Sequence, residues 1–325
     1  MRLKSFLSRA ATPIRWILLT LVVGFAVYYL VQQWEAVSEA LVTISWLSLL
    51  LSFLLLLLGL IAATLSWVAI LNGLGPRVPF LRGAQVMLVG QLGKYVPGSV
   101  WSYVMQMELG RQYGISRPRV LISGLYAAGI GVVASLLLGA LALPVVIQGQ
   151  TYILWLFVLL PIGLVCLHPR VMTRLANIVL RIFRRPPLDH IVSFKTVLSA
   201  LGWVLLAYLF YGAHLWILVN SLKDPSIMAL ILLTGAISLG FTVGLFAFIL
   251  PSGVGVRELI LIGSMTIILA ESQAAAVSLV SRVMFTLADL LAAGIAVLAV
   301  VILRRKLAPI VNEYTAPSAE MDFPK

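Results

Sequence analysis

Apolar residues run along this chain in long blocks, without the period-two alternation of a half-buried strand. The blocks cover residues 14–31, 44–71, 120–143, 152–167, 197–219, 227–250, 256–270 and 275–303. Roughly 20 apolar residues in a helix cross a hydrocarbon layer about 30 Å thick. Backbone polar groups in lipid must be satisfied within their own segment, so the pattern predicts an all-α, polytopic membrane bundle of about eight spanning helices. One further apolar run, "AQVMLVGQLGKYVPGSVWSYVMQM", is interrupted by Lys94 and by Pro97-Gly98.

Lysine and arginine positions set the orientation, because cytoplasmic loops carry an excess of them. "QQWEAVSEALVT" and "PVVIQGQT" contain neither residue, whereas Arg77 and Arg82, then Arg111, Arg117 and Arg119, then Arg170 to Lys195 fall on the other side. Both termini read as cytoplasmic in a plasma membrane protein, with 14–31 a retained signal anchor. The run around Lys94 must then enter and leave on one side, as a re-entrant hairpin whose broken backbone is covered by protein or a wet cavity. In the loop 168–196, helical spacing gathers Val171, Leu175, Val179, Ile182 and Phe183 opposite Arg174, Arg181, Arg184 and Arg185. That suits a helix in the head-group plane, although a plain topology signal accounts for the same arginines. Residues 1–306 form one transmembrane domain on this reading, and 307–325 a short disordered tail.

Composition agrees, with 62% hydrophobic and 10% charged residues. The net charge of +12 would suggest nucleic acid in a soluble chain, but here topology and anionic head groups account for it, and no nucleic-acid partner is expected. Cys166 has no second cysteine to pair with. His168, His190 and His214 lack ligand spacing and there is no P-loop, so neither a metal nor another cofactor is expected.

A second break, "FILPSGVGVRE", lies in the opposite half of the chain from "KYVPGSVW". Paired Pro/Gly interruptions in corresponding positions point to a transporter-like site and raise an internal repeat. Each break can expose a half-helix N-terminus suited to a phosphate, with Lys94 or Arg257 adding charge. A Pro-kinked helix with a snorkelling lysine is the plainer alternative. Glu258 reads either as a first-turn cap or as the partner of a cation across a cavity. Arg282 and Asp289, seven residues apart on one helix face, are costly in a span and read equally as a structural pair or as cavity residues. Glu108 and Arg111 look like a boundary pair, and Gly240/Gly244 and Ala292/Ala296 like close helix packing. The candidate head-group residues are Lys94, Tyr95, Pro97, Gly98, Ser99, Trp101, Pro251, Ser252, Gly253, Gly255, Arg257, Glu258, Arg282 and Asp289.

At these positions the chain resembles the transmembrane domain family of lysylphosphatidylglycerol synthases, flippase-like membrane proteins. "GQLGKYVPGSVWSYVMQMELGRQYGIS" is similar to the family's Pro-Gly segment with its following arginine and Gly-Ile-Ser turn, "ILPSGVGVRE" to its Pro-Gly-Gly-x-Gly-x-x-Glu segment, and "AAAVSLVSRVMFTLADL" to its last helix. Val100-Trp101 stands where many relatives have Gly-Glu, and Ser252 replaces a motif glycine. The resemblance implies movement between leaflets of a phosphate-bearing lipid, whether an anionic phospholipid, an aminoacylated one or a polyprenyl-phosphate-linked sugar. The relatives' soluble synthetase domain is not seen, so aminoacyl transfer is not expected. A second reading is a membrane scaffold for a glycosyltransferase or other envelope enzyme. A third, an enzyme with Glu258 or Asp289 as base, lacks an accompanying nucleophile.

Overall fold

The computed structural model describes residues 44–96, 100–146, 158–182, 192–246, 253 and 255–315, with the side chains of 143–146 and 303–315 excepted. Helix α1 (Trp46–Gly73) starts where the Ser45 hydroxyl accepts the Ser48 backbone N–H at 3.1 Å. Helix α7 (Phe194–Asn220) starts in the same way at Ser193, which accepts from Thr196 N at 3.1 Å. Each cap satisfies one of the four N–H groups that a helix start leaves open. The two helices lie antiparallel: Ser52 bonds His214, Gly59 abuts the Tyr211 ring, and Ser66 Oγ donates to Ala200 O at 2.9 Å. Along α1, Ser52, Thr64 and Ser66 are buried while Leu47, Leu50, Leu54 and Ile61 are exposed. Polar side chains inside and leucines outside suit a helix whose solvent is lipid.

Helices α4 (Arg117–Val146) and α8 (Ile227–Phe246) pack through small residues, Gly139 against Leu239 and Gly235 against Ala142, with a 2.5 Å hydroxyl contact between Ser135 and Thr242. Helices α5 (Leu159–Cys166) and α6 (Pro169–Ile182) meet at 85°. On α6 the inward face is Met172, Ala176 and Leu180. The predicted apolar face turns outward, with Leu175 and Ile182 exposed, and the arginine row Arg170, Arg174 and Arg181 lies beside it. Phe183, Arg184 and Arg185 lie outside the described residues.

Two elements are too short to cross. Helix α2 (Phe80–Gln91) runs into a 3₁₀ turn (Leu92–Tyr95), and α3 (Val100–Gln112) returns against it. At 12 and 13 residues these helices span about 18–20 Å, well under the hydrocarbon thickness. Glycine makes the pairing: a Cβ on Gly93 would sit 2.7 Å from the backbone of Trp101 and Ser102, and one on Gly90 would strike Gln106. The second short element is α9 (Val256–Met265), ten residues and about 15 Å, and it packs on α8 and on the long last helix α10 (Glu271–Thr315).

Among the described residues, five helices are long and apolar enough to cross a membrane, six if α5 and α6 count as one bent span. Of the eight expected, 256–270, short for a full crossing by its length alone, is a half-length helix that ends at Met265 in turns before Glu271. The segment 14–31 lies outside the described residues, as does much of 152–167. The last helix also continues to Thr315, past the end placed at residue 306, since Arg304 to Leu307 are good helix formers and hydrogen bonding carries through them.

Glu108 sits between Arg111 and Arg117, at 2.5 and 2.6 Å. Burial alone would raise its carboxyl pKa, but the guanidiniums of Arg117 and Arg111 outweigh that and hold it below the ordinary carboxylate range. A lowered carboxyl contributes stability above its unfolded pKa, which is lost as pH falls through the folded one. Melting of the purified protein in detergent is therefore expected at lower temperature as pH drops below about 4, with Glu108→Gln flattening part of that fall. Gly93→Ala is expected to destabilise by about 1–3 kcal/mol in the same assay, because backbone must move. Gly202→Ala on α7, where nothing lies within 4 Å of the new Cβ, should be neutral or stabilising by at most about 1 kcal/mol.

Candidate functional site

The first break delivers two side chains to one carboxylate. The 3₁₀ turn tightens the chain after Gln91 so that Lys94 and Tyr95 both reach α10. Lys94 Nζ lies 2.6 Å from Asp289 Oδ2, Tyr95 Oη donates to the same oxygen at 2.6 Å, and Gln91 Nε2 donates to Oδ1 at 3.5 Å. Asp289 is 3% exposed. A carboxylate so buried is retained only when paired and hydrogen-bonded, and this one is both.

The second break is tied to the same helix by the opposite polarity. Gly253 and Gly255 take positive φ values of 68° and 88°, a conformation that glycine reaches without the Cβ penalty. The chain thereby enters α9, where Glu258 Oε2 accepts the Gly255 N–H at 2.6 Å and Oε1 accepts from Arg282. Both sequence readings of Glu258, as cap and as partner of a cation, are thus present in one side chain. Arg282 and Asp289 do not pair with each other; each binds a different break.

Arg257 is the charge left over. It is 5% exposed, no carboxylate lies within 4.0 Å of it among the described residues, and its Nη2 has no hydrogen-bond partner. Its guanidinium is held between two rings, 4.2 Å from the Phe241 centroid and 4.3 Å from that of Phe285. Such contacts contribute about 0.5–2 kcal/mol each. Burying an ion costs several kcal/mol, so the rings offset only part of it and the site retains a net attraction for an anion. Gly240 makes room, since its missing Cβ would lie 3.3 Å from Arg257 Cγ.

Two adjoining cavities meet here. One of about 290 Å³ runs between the breaks, with Gln91, Lys94, Tyr103 and Gln106 on one wall and Gly253 and Arg257 on the other. A second of about 250 Å³ shares Trp67, Gln91, Lys94, Phe241 and Leu245 with it, continues along Leu60 and Val132, and is lined also by Asp289.

Of the candidate residues, the structure gathers Lys94, Tyr95, Gly253, Gly255, Arg257, Glu258, Arg282 and Asp289 around these cavities and the last helix. Trp101 is corrected: it points outward, 39% exposed, and lines neither cavity, because α3 turns its other face to α2. Pro97, Gly98, Ser99, Pro251 and Ser252 lie outside the described residues. The sequence reading missed Trp67, Gln91, Gln106, Phe241 and Phe285. The two glutamines carried a signal, being amides set inside an apolar hairpin too short to cross. The aromatic residues carried none, since any lipid-embedded helix holds such residues. His214 proves to be a packing residue, bonded to Ser52 and to Ser281 at 2.9 Å, and the described residues contain no cluster able to hold a metal.

No curated protein matches the sequence. The family model described as the lysylphosphatidylglycerol synthase TM region matches residues 16–294, a stretch that contains both breaks and the α10 positions 282 and 289 that bind them. The lipid-facing helices and the matched length together establish that this integral membrane protein belongs to the lysylphosphatidylglycerol synthase transmembrane family.

Proposed function

We propose that this protein is a lipid translocase that takes a phosphate-bearing head group into the cavity between its two breaks and passes it between leaflets. The observation that carries the reading is Arg257, a buried guanidinium on the wall of that cavity with no carboxylate partner among the described residues. A phosphate there would supply the missing countercharge through charge-assisted hydrogen bonds. Lys94, on the same wall system, would then be shared between the phosphate and Asp289. The apolar wall of the adjoining cavity suits the first carbons of the lipid's tails.

The hairpin α2–α3 is taken as re-entrant, which agrees with its length and with the arginines at both its ends. Termini in the cytoplasm of a plasma membrane protein follow from the same charge bias. Among the described residues, the two carboxylates near the cavity, Asp289 and Glu258, are committed to cations, which favours a carrier over an enzyme needing a free base.

Purified protein in liposomes, assayed with a fluorescent phosphate-bearing lipid, is expected to speed leaflet exchange. Arg257→Gln should cut the rate at least tenfold; Lys94→Ala should cut it by a smaller factor and also lower the melting temperature, because Asp289 loses its ionic partner. Exchange no faster than in empty liposomes, across anionic phospholipids and a polyprenyl-phosphate sugar, would overturn the reading and favour a scaffold for an envelope enzyme.

A further inference from the structure

Away from the two breaks, the bent pair α5–α6 encloses a further cavity against α4. At about 410 Å³ it is larger than either of the two beside Arg257, and it falls within the range of about 300–1,000 Å³ usual for ligand pockets. The side chains lining it are apolar except for the Tyr126 hydroxyl and the Cys166 thiol. Gly129 leaves it open, since a Cβ there would meet nothing within 4 Å. A space so lined stays dry, and hydrocarbon is what fills it. No residue of α5 is buried, so the packing of the bent pair on α4 is incomplete without an occupant.

The cavity has the length of one leaflet. Ile122 and Val133 both line it, and eleven residues of α4 rise about 16 Å. Half of a hydrocarbon layer about 30 Å thick is nearly the same. At one end Gly163 abuts Val133, whose methyl would lie 2.8 Å from an added Cβ. At the other, α6 leaves α5 at 85° and brings in Met172, Leu175 and Ala176. Leu125, Leu175 and Phe246 line the cavity and are 37%, 47% and 60% exposed, so it opens outward to lipid.

Charge identifies the other end of the occupant. Arg170, Arg174 and Arg181 form an exposed row on α6, and none of them takes part in an ion pair among the described residues. Residues 109–188, which include the whole of α4, α5 and α6, contain no Asp or Glu. The row lies about a quarter turn round the helix from exposed Leu175 and Ile182, so α6 carries hydrocarbon on one flank and cations on the next. A chain standing in the cavity ends at the level of α6, and an anionic head group is the complement that these three helices do not supply.

We propose that this cavity is a second lipid site, which holds one acyl chain of an anionic phospholipid whose head group rests against the α6 arginines. Helix α4 separates it from the breaks, and the site does not depend on whether the protein moves lipid. The resident lipid completes the packing that fastens α5 and α6 to the bundle.

The test offers dioleoyl phosphatidylglycerol or dioleoyl phosphatidylcholine, equal in chains and different in charge, to the purified full-length protein in neutral detergent. Retained lipid is counted by native mass spectrometry and melting is followed beside it. An Arg257→Gln background keeps lipid bound between the breaks out of the count. Phosphatidylglycerol is expected to be held at least fivefold more tightly than phosphatidylcholine and to raise the melting temperature. Gly129→Leu, which fills the cavity and favours helix, should weaken retention of both at least tenfold without lowering the melting temperature of the lipid-free protein. Arg174→Gln combined with Arg181→Gln should bring the two lipids within twofold of each other while leaving phosphatidylcholine unchanged. Retention indifferent to Gly129→Leu, equal retention of the two lipids, or a charge preference that survives loss of both arginines would overturn the proposal. A Gly129→Leu variant that changes the oligomeric mass instead of the lipid count would overturn it in favour of a second copy of the chain. Leaflet exchange is not read, so absence of transport leaves a positive result standing.

Discussion

A charge placed in hydrocarbon has to be matched nearby, and that requirement organises this molecule around its last helix. Asp289 and Arg282, of opposite sign on one face of α10, each draw in a broken element: Lys94 and Tyr95 from the first, Glu258 from the second. Removing one partner of a buried pair typically costs about 3–5 kcal/mol, because the other is left uncompensated. Neither short element is long enough by itself to cross the layer, so these ionic ties supply part of what a spanning helix would gain from length. The last helix acts as a post to which both are fastened.

Packing around the post follows the absence of side chains as much as their presence. Gly90 and Gly93 let the hairpin close, and Gly240 and Gly244 receive the second break. What the small residues leave open are two adjoining spaces that share Lys94 and Gln91. The aromatic cluster of Tyr208, Tyr211, Phe241 and Phe285 lies against that junction and presents two rings to Arg257. The site thus combines a dry wall with a cation whose neighbours cannot fully neutralise it.

Much of this was legible in the chain. The long apolar blocks became helices because lipid permits little else, and Pro and Gly betrayed the breaks because they deny the backbone a regular helix. Glu258, Arg282 and Asp289 were conspicuous through their cost. Their partners were not: a seven-residue spacing shows that Arg282 and Asp289 share a face, but not that each faces a different segment far away in sequence. Trp101 was misread because adjacency to a break was taken for orientation toward it. Gln106 went unnoticed since an isolated amide seems unremarkable until the cavity shows its oxygen unpaired.

The spacing of the two fastening points has a consequence for depth. Seven residues of helix correspond to about 10 Å of rise, roughly a third of the hydrocarbon thickness. The two broken elements are consequently anchored at different levels along the α10 axis, the Glu258 tie nearer the start of that helix and the Lys94 tie two turns further on. The cavity between them is therefore bounded by ties at two levels about 10 Å apart along that axis.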